Sequence, residues 1–172
     1  MSANLERLSA VRSDGSINVV VETPRGARVK LAFSAELGTF EATRALSLGV
    51  TYPYDWGFVP GTRAEDGDPL DALVLHDEPT YPGVVLACDA LGVIVLSERS
   101  EERERREHNN RLIVAPRWQS EHRESDTIPP RTRAELEQFF LSATFFTGKE
   151  AKIEGWMNAA EARALVESSV VK

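Results

Sequence analysis

The chain has 172 residues, 42% of them hydrophobic and 27% charged, which is typical of a folded globular protein and excludes wholesale disorder. Its net charge of −7 argues against a nucleic-acid partner and against a basic membrane-binding face. An anionic substrate is still compatible with this charge, because divalent cations held on acidic side chains reverse the local field. The length fits one domain, which we predict to cover residues 1–172.

Cysteine usage and hydropathy predict a cytoplasmic protein. Cys88 is the single cysteine, so neither an intrachain disulfide nor a cysteine-based zinc site is expected, as suits a reducing compartment. The first residues lack the apolar core of a signal peptide. Apolar runs such as 82–88 and 92–96 are far shorter than the ~20 residues that span a bilayer.

The first predicted elements are two strands, 18–22 and 28–33, separated by the turn residues Pro24, Arg25 and Gly26. This pattern predicts a β-hairpin. In its second strand, alternation places Arg28 and Lys30 on one face and the apolar residues on the opposite face. Four more short strands are predicted at 72–75, 83–87, 92–96 and 112–114.

Two helices are predicted near the end of the chain, each from a capping-box signature. Residues 132–135 begin the first, which extends to about Thr144, and residues 158–161 precede the second at 162–168. We expect both helices to pack outside a small, closed, OB-like β-barrel of about five to six strands, since closure removes exposed strand edges. The predicted fold class is therefore mainly β (α+β).

A charged insertion, residues 98–109, separates two of the predicted strands and is dense in Glu and Arg. Glu101 with Arg105, and Glu102 with Arg106, have helical i,i+4 spacing with the acid first. This composition favours a solvated helical excursion or a loop.

The most informative segment is an acidic turn, residues 65–71, which contains Asp66, Asp68 and Asp71. These three carboxylates repel one another at close range, and a bound cation would remove that cost. Mg²⁺ prefers hard oxygen ligands and keeps several waters, so a few carboxylates on a tight turn suffice. The alternative is an ordinary Asp-Gly turn with incidental acids.

The chain from residue 20 to residue 75 resembles the family I (soluble) inorganic pyrophosphatases. The string from Asp66 to Leu75 fits the signature of that family without a gap, and weaker matches reach residues 153–156. The resemblance implies a β-barrel with a polar, metal-filled cavity at one end. It also implies metal-dependent hydrolysis of pyrophosphate to two phosphates by a metal-bound water. The other matching pieces are 20–26, Lys30, Arg44 and 52–62.

The same resemblance implies roles for individual residues. Asp66, Asp68 and Asp71 would hold the metals, with Glu22 completing the acidic rim and Asp68 accepting the proton of the attacking water. The implied metal is Mg²⁺, with Mn²⁺ as the alternative, and the implied assembly is a homo-oligomer, a hexamer as in bacterial relatives. The residues implied to contact phosphate oxygens are Lys30, Arg44 and Tyr52.

The second half of the chain departs from the family pattern. Glu98 stands at the first of two later metal-aspartate positions and Asn109 at the second, with six extra residues between them. Glu104 or Glu107 could substitute for the second acid. The lysine expected two residues later is Arg111, which keeps the positive charge with a different geometry, and we assign it to substrate binding.

Two further departures change the phosphate side of the expected site. Trp56 replaces a tyrosine, and residues 142–144 replace an adjacent Tyr-Lys pair on the first helix. Arginines of the insertion, Lys149 or Lys152 could restore positive charge, although surface positions are the simpler interpretation of both lysines. Two alternatives to pyrophosphate hydrolysis therefore stay open: hydrolysis of another phosphoanhydride (nucleotide or polyphosphate), and an inactive phosphate-ligand-binding homologue.

Overall fold

The computed structural model describes residues 4–100, 105–122 and 127–171, in which nine strands and two α-helices are present. The helices are α1 (Pro130–Thr144) and α2 (Ala159–Ser169). The strands are β1 (Ile17–Thr23), β2 (Val29–Ser34), β3 (Thr39–Ala45), β4 (Asp55–Val59), β5 (Leu70–Val74), β6 (Val85–Ser100), β7 (Arg105–His108), β8 (Arg111–Pro116) and β9 (Lys152–Met157).

Five strands close into a barrel. They pair in the order β1, β4, β5, β8 and β6, and β6 then pairs with β1 to complete the ring. Every neighbouring pair is antiparallel except β5 with β8, which is parallel. The prediction of a small closed β-barrel with two helices is confirmed, and closure leaves these five strands without the free edges that invite aggregation.

The predicted hairpin of residues 18–22 and 28–33 is wrong in its pairing, because β2 pairs with β3. Both edges of β1 are occupied by β4 and β6. A side chain makes the link to β2 instead: Thr23 Oγ1 accepts from Leu31 N (2.9 Å) and donates to Leu31 O (3.0 Å). The β2–β3 hairpin is thus attached to the barrel rather than part of it.

The two strands predicted at 83–87 and 92–96 are one long strand, β6. The register shifts between Ala90 and Gly92, which marks a β-bulge. A Cβ at Gly92 would lie 2.7 Å from Met157 O. This glycine therefore permits close approach of β9, at the position where the sequence predicted a separate strand to begin.

The helix boundaries test both capping-box predictions. The prediction at Thr132 is wrong: α1 begins at Pro130, and its N-cap Pro129 makes no side-chain capping bond. Proline fits the first helical turn because its missing N–H would have no partner there. The second prediction is confirmed, since Asn158 Oδ1 accepts from Glu161 N (3.0 Å) and Glu161 Oε2 accepts from Asn158 N (2.7 Å).

The charged insertion is not helical where the structure describes it. Arg105 and Arg106 lie in β7, which pairs antiparallel with the end of β6 and places Arg106 opposite Arg99. Glu101 and Glu102 lie outside the described residues. The antiparallel ladder satisfies the backbone groups that the predicted helix would have paired locally.

Alternate residues of the barrel strands enter two different apolar clusters, as the two-residue period of a strand requires. In β5, Ala72 and Val74 join a cluster that includes Ala162 and Val166 of α2. Leu73, between them, joins the cluster that α1 covers. Helix α1 contributes Leu136, Phe139, Phe140 and Ala143 to that second cluster.

Within the described ranges, neither helix combines the length and the apolar character needed to cross a membrane.

Candidate active site

Two adjoining cavities share a wall formed by Lys30, Arg111 and Lys149. We call the larger one, of about 240 Å³, the acidic compartment. The smaller one, of about 60 Å³, is the cationic compartment. The acidic compartment is also lined by Glu6, Glu22, Asp66, Asp68, Asp71 and Asn109. The cationic compartment is also lined by Arg44, Tyr52, Trp56, Glu98 and the end of α1.

Local hydrogen bonds shape the acidic turn that precedes β5. Asp66 Oδ1 accepts from Asp68 N (3.1 Å), and Ala64 N donates to Asp68 O (2.7 Å). Gly67 has a φ of 97°, a left-handed conformation that a residue with a Cβ rarely adopts. The turn thereby brings Asp66 and Asp68 to the cavity that Asp71 lines from within β5.

The negative charge of the acids in this compartment is only partly compensated by Lys30, Arg111 and Lys149. Burial, with the nearby charges of Asp71 and Asp68, raises the pKa of Glu22 to about 7, although Phe33 N donates to its carboxylate at 2.7 Å. Burial likewise raises the pKa values of Asp66 and Asp71. Raised pKa values mean that the charged forms are disfavoured, which a bound dication would reverse.

The donor chemistry fits a hydrated divalent ion. Among the residues that the structure describes, no three His, Cys, Asp or Glu side chains are grouped closely enough to hold a metal as they stand. Glu22, Asp66, Asp68 and Asp71 nevertheless line one cavity with hard oxygen atoms. Mg²⁺ uses one or two carboxylates and retains several waters, so this looser arrangement suits it better than a dry protein cage would.

Arg111 connects the two compartments. Its buried guanidinium places Nη1 2.6 Å from Asp71 Oδ2 and Nη2 3.6 Å from Glu98 Oε1, and it also donates to Asn109 Oδ1. Its Cζ lies 5.2 Å from the centre of the Trp56 ring, in cation–π contact. Arg111 therefore lies between the acids of one compartment and the cations of the other.

Glu98 belongs to the cationic compartment. Its Oε2 accepts from Asn109 Nδ2 (3.1 Å) and from Lys149 Nζ (3.2 Å). Burial alone would raise the pKa of Glu98, but the charges of Arg111 and Lys149 lower it below its usual value. Glu107, the alternative acid, lies opposite Glu98 in the β6–β7 ladder and pairs with the guanidinium of a β7 arginine; Glu104 lies outside the described residues.

Lys30 and Arg44 are direct cross-strand partners in the β2–β3 hairpin. Like charges placed opposite one another destabilise a sheet, and an anion between them would remove that cost. Arg44 is further held by donation from Nη1 to Ala143 O at 3.1 Å. The two predicted phosphate-binding cations thus lie together on one wall of the cationic compartment.

Two aromatic residues form the floor of this compartment. Burial raises the pKa of Tyr52 to about 12, so its phenol stays protonated and can donate. The Trp56 ring lies 5.9 Å from that of Tyr52. Trp56 Nε1 and Arg111 Nε are both buried and have no hydrogen-bond partner within the part of the chain that the structure describes. An arriving anion or water would satisfy such donors.

Helix α1 contributes no cation to the compartment it borders. Ala143 and Thr144 line the cavity where the resemblance implies a Tyr-Lys pair, and Thr144 Oγ1 donates back to Phe140 O (2.8 Å). Lys149, in the segment between α1 and β9, lines both compartments instead. The surface position that the sequence favoured is confirmed, because this side chain is 49% exposed. No motif among its neighbours along the chain indicates that it also lines the cavities.

Comparisons with known proteins agree with this geometry. The family model described as inorganic pyrophosphatase matches residues 19–172. An inorganic pyrophosphatase of Nostoc sp. is 36% identical over 172 residues, covering 97% of each chain. One of Leifsonia xyli is 38% identical over 157 residues, covering 88% of this chain and 91% of the relative. The crystal structure of the Thermus thermophilus inorganic pyrophosphatase superposes with a TM-score of 0.88, at 29% identity and 98% coverage of this chain and 97% of that one. The chain belongs to the inorganic pyrophosphatase family.

Proposed function

We propose that this protein hydrolyses inorganic pyrophosphate to two phosphate ions. The observation that carries the proposal is the pair of adjoining compartments, one lined by acids and one by cations, with three cations in the shared wall. A pyrophosphate ion can bridge these two compartments, because one phosphoryl group can contact the cationic side chains while the acids hold the divalent cations that accompany it. The names of the relatives support the same substrate.

The acids are assigned to metal binding. Four acids, Asp66, Asp68, Asp71 and Glu22, line the acidic compartment and would hold the divalent ions. Glu98, which lines the adjoining compartment, is proposed as a further ligand. A divalent ion there supplies Lewis acidity, which makes water a better nucleophile and neutralises phosphate charge. Asp68 is the exposed member of the set and has room to accept the proton of the attacking water.

The cations and Tyr52 are assigned to the substrate. Lys30, Arg44 and Arg111 would contact phosphate oxygens with charge-assisted hydrogen bonds, and the protonated phenol of Tyr52 would donate one more. These donors are held in place before the reaction, so they can stabilise the charge that develops on the leaving phosphate. Arg111 has a second role, since its contact with Asp71 orients that carboxylate.

The metal, the assembly and the compartment complete the proposal. Mg²⁺ is the proposed metal and Mn²⁺ the alternative, because the donor set consists of hard oxygens. A homo-oligomer, specifically a hexamer, is proposed from the resemblance to bacterial members of the family. A cytoplasmic location is proposed because Cys88 is the single cysteine of the chain, so that no intrachain disulfide can form, as suits a reducing compartment.

Phosphate release from pyrophosphate, tripolyphosphate and ATP at a fixed Mg²⁺ concentration tests the proposal. We expect metal-dependent turnover that is fastest with pyrophosphate. Asp68→Asn should reduce it at least ~10²-fold, the scale for removing a positioned base. Glu65→Gln is the matched control, because Glu65 is an exposed acid of the same turn that does not line the cavity. Faster turnover of a larger substrate, or equal rates for Asp68→Asn and wild type, would contradict the assignment.

A further inference from the structure

We propose that Lys149 is a substrate-binding residue, held over the cationic compartment by the β6–β7 hairpin that the charged insertion forms. This inference rests on the proposed function and deepens it. Helix α1 contributes no positive charge to the compartment, because it borders the cavity with Ala143 and Thr144, neither of which is charged. Lys149 lines the same cavity from a different segment of the chain.

The ammonium group of Lys149 is placed to reach substrate. Its Nζ lies 3.2 Å from Glu98 Oε2, and its side chain is 49% exposed, so one face of the group is anchored and another is open. An ammonium has three donors and can hold a carboxylate and a phosphate oxygen together. Because Lys149 lines both compartments, it stands at the boundary that pyrophosphate would cross.

Neutralisation of Glu98 does not explain Lys149. Glu98 already has Arg111 Nη2 at 3.6 Å and Asn109 Nδ2 at 3.1 Å. With Lys149 included, four cations line the cationic compartment against one acid; the cations are Lys30, Arg44, Arg111 and Lys149. Four cationic side chains that converge on one small cavity offer several donors to a ligand with several negative charges.

The β6–β7 hairpin holds the backbone around Lys149. Arg99 N donates to Lys149 O at 2.6 Å, and Arg99 Nη1 lies 3.3 Å from Glu150 Oε1. Arg106 Nη2 donates to Glu150 O (2.7 Å) and to Ser97 O (3.0 Å). Arg106 therefore ties the segment after α1 to the strand that carries Glu98.

The backbone at this point is strained. Glu150 has a φ of 44°, and among the described residues it is the one non-glycine with a positive φ; Gly148, two residues earlier, has a φ of 72°. A left-handed conformation at a residue with a Cβ persists only where surrounding contacts impose it. The hairpin supplies those contacts, and the conformation it imposes directs Lys149 toward Glu98.

The test compares Lys149→Met with Lys152→Met. Lys152 is the control because it is exposed on β9 and lines neither compartment. Calorimetric binding of imidodiphosphate, an analogue of pyrophosphate that is hydrolysed much more slowly, should weaken ~10-fold or more in Lys149→Met, the scale of one charge-assisted hydrogen bond. The KM for pyrophosphate should rise in parallel. Lys149→Arg should restore most of the affinity, and Lys152→Met should bind as wild type does.

Arg106 is tested as a positioning residue by a double-mutant cycle. Arg106→Met alone should raise KM with kcat little changed, and Arg106→Lys should recover part of the loss. In the Lys149→Met background, Arg106→Met should have no further effect on KM, because the ammonium group that Arg106 positions is absent. Additive effects would refute the positioning role, as they would show that Arg106 acts elsewhere.

The outcomes separate this inference from the proposed function. Wild type that neither hydrolyses pyrophosphate nor binds imidodiphosphate overturns both. Active wild type with unchanged affinity in Lys149→Met overturns the role of Lys149 alone. Unfolding midpoints are measured for each variant, and Lys149→Gln provides a second neutral side chain should the methionine variant fail to fold; equal affinity in that variant also overturns the role.

Discussion

Replacing Arg111 with methionine tests how the acids of the site are neutralised. The substitution removes the guanidinium from Asp71 and Glu98 and keeps an apolar side chain of similar length beside Trp56. Removing one partner of a buried ion pair costs about 3–5 kcal/mol. The Asp71 side chain is 25% exposed, so we expect the lower end, about 3 kcal/mol. For a chain of this size that corresponds to a fall of about 6–12 °C in Tm.

Metal should rescue this variant in part. A ligand that binds only the folded state adds about 2.7 kcal/mol when present at a hundred times its Kd. If divalent ions bind Asp71, then saturating Mg²⁺ should return most of the stability that Arg111→Met loses in a chelator. Thermal unfolding followed by circular dichroism measures the Tm of wild type and variant in EDTA and in Mg²⁺. Arg131→Met is the control, because its exposed pair with Glu135 should contribute little. The same Tm for Arg111→Met in EDTA and in Mg²⁺ would refute metal binding at Asp71.

Three further predictions concern pH and stability. Burial would raise the pKa of Asp55, but hydrogen bonds from His76, Thr80 and a backbone N–H lower it, so its stabilising effect should disappear as pH falls below about 4. Asp55→Asn should cost about 2–4 kcal/mol and remove that acid dependence in urea unfolding, because a carboxamide cannot accept from all four donors. The pKa of Glu22 is raised from 4.5 to about 7, so metal-free protein should lose stability as pH rises across that interval. Glu22→Gln should reduce this loss, leaving the contributions of Asp66 and Asp71, whose pKa values are also raised. A flat wild-type profile would show that the Glu22 carboxylate is not destabilised by its burial. Asn158→Ala removes the α2 capping box and should cost about 1 kcal/mol, measured as a Tm about 2–4 °C lower.

Features that depend on neighbouring residues could be predicted from the sequence. The α2 cap was predicted correctly because Asn158 and Glu161 satisfy each other within one turn. The acidic turn was recognisable because its acids lie within six residues and resemble a family signature. The same reasoning failed at Thr132, where two preceding prolines begin α1 earlier than the capping pattern does.

Features that depend on distant contacts could not be predicted. Strand patterns identified β1 and β2 but not their partners, because pairing of β1 with β4 and β6 is decided by barrel closure. The composition of the insertion favoured a helical excursion or a loop, whereas its described part adds a strand to the end of β6. The position of Lys149 at the cavity likewise depends on a distant contact, because the β6–β7 hairpin holds its backbone. No local sequence pattern around Lys149 predicts that contact.

The long strand β6 has a consequence for amide hydrogen exchange. It pairs with β1, β7, β8 and β9, so exposing its amides to solvent requires several ladders to separate at once. The β2–β3 hairpin forms a separate two-stranded sheet and can open by itself at lower cost. We expect β6 to exchange only through global unfolding and the hairpin to exchange through local fluctuation. Lys30 and Arg44 would then leave the phosphate during these brief openings, while the carboxylates of the barrel keep their places.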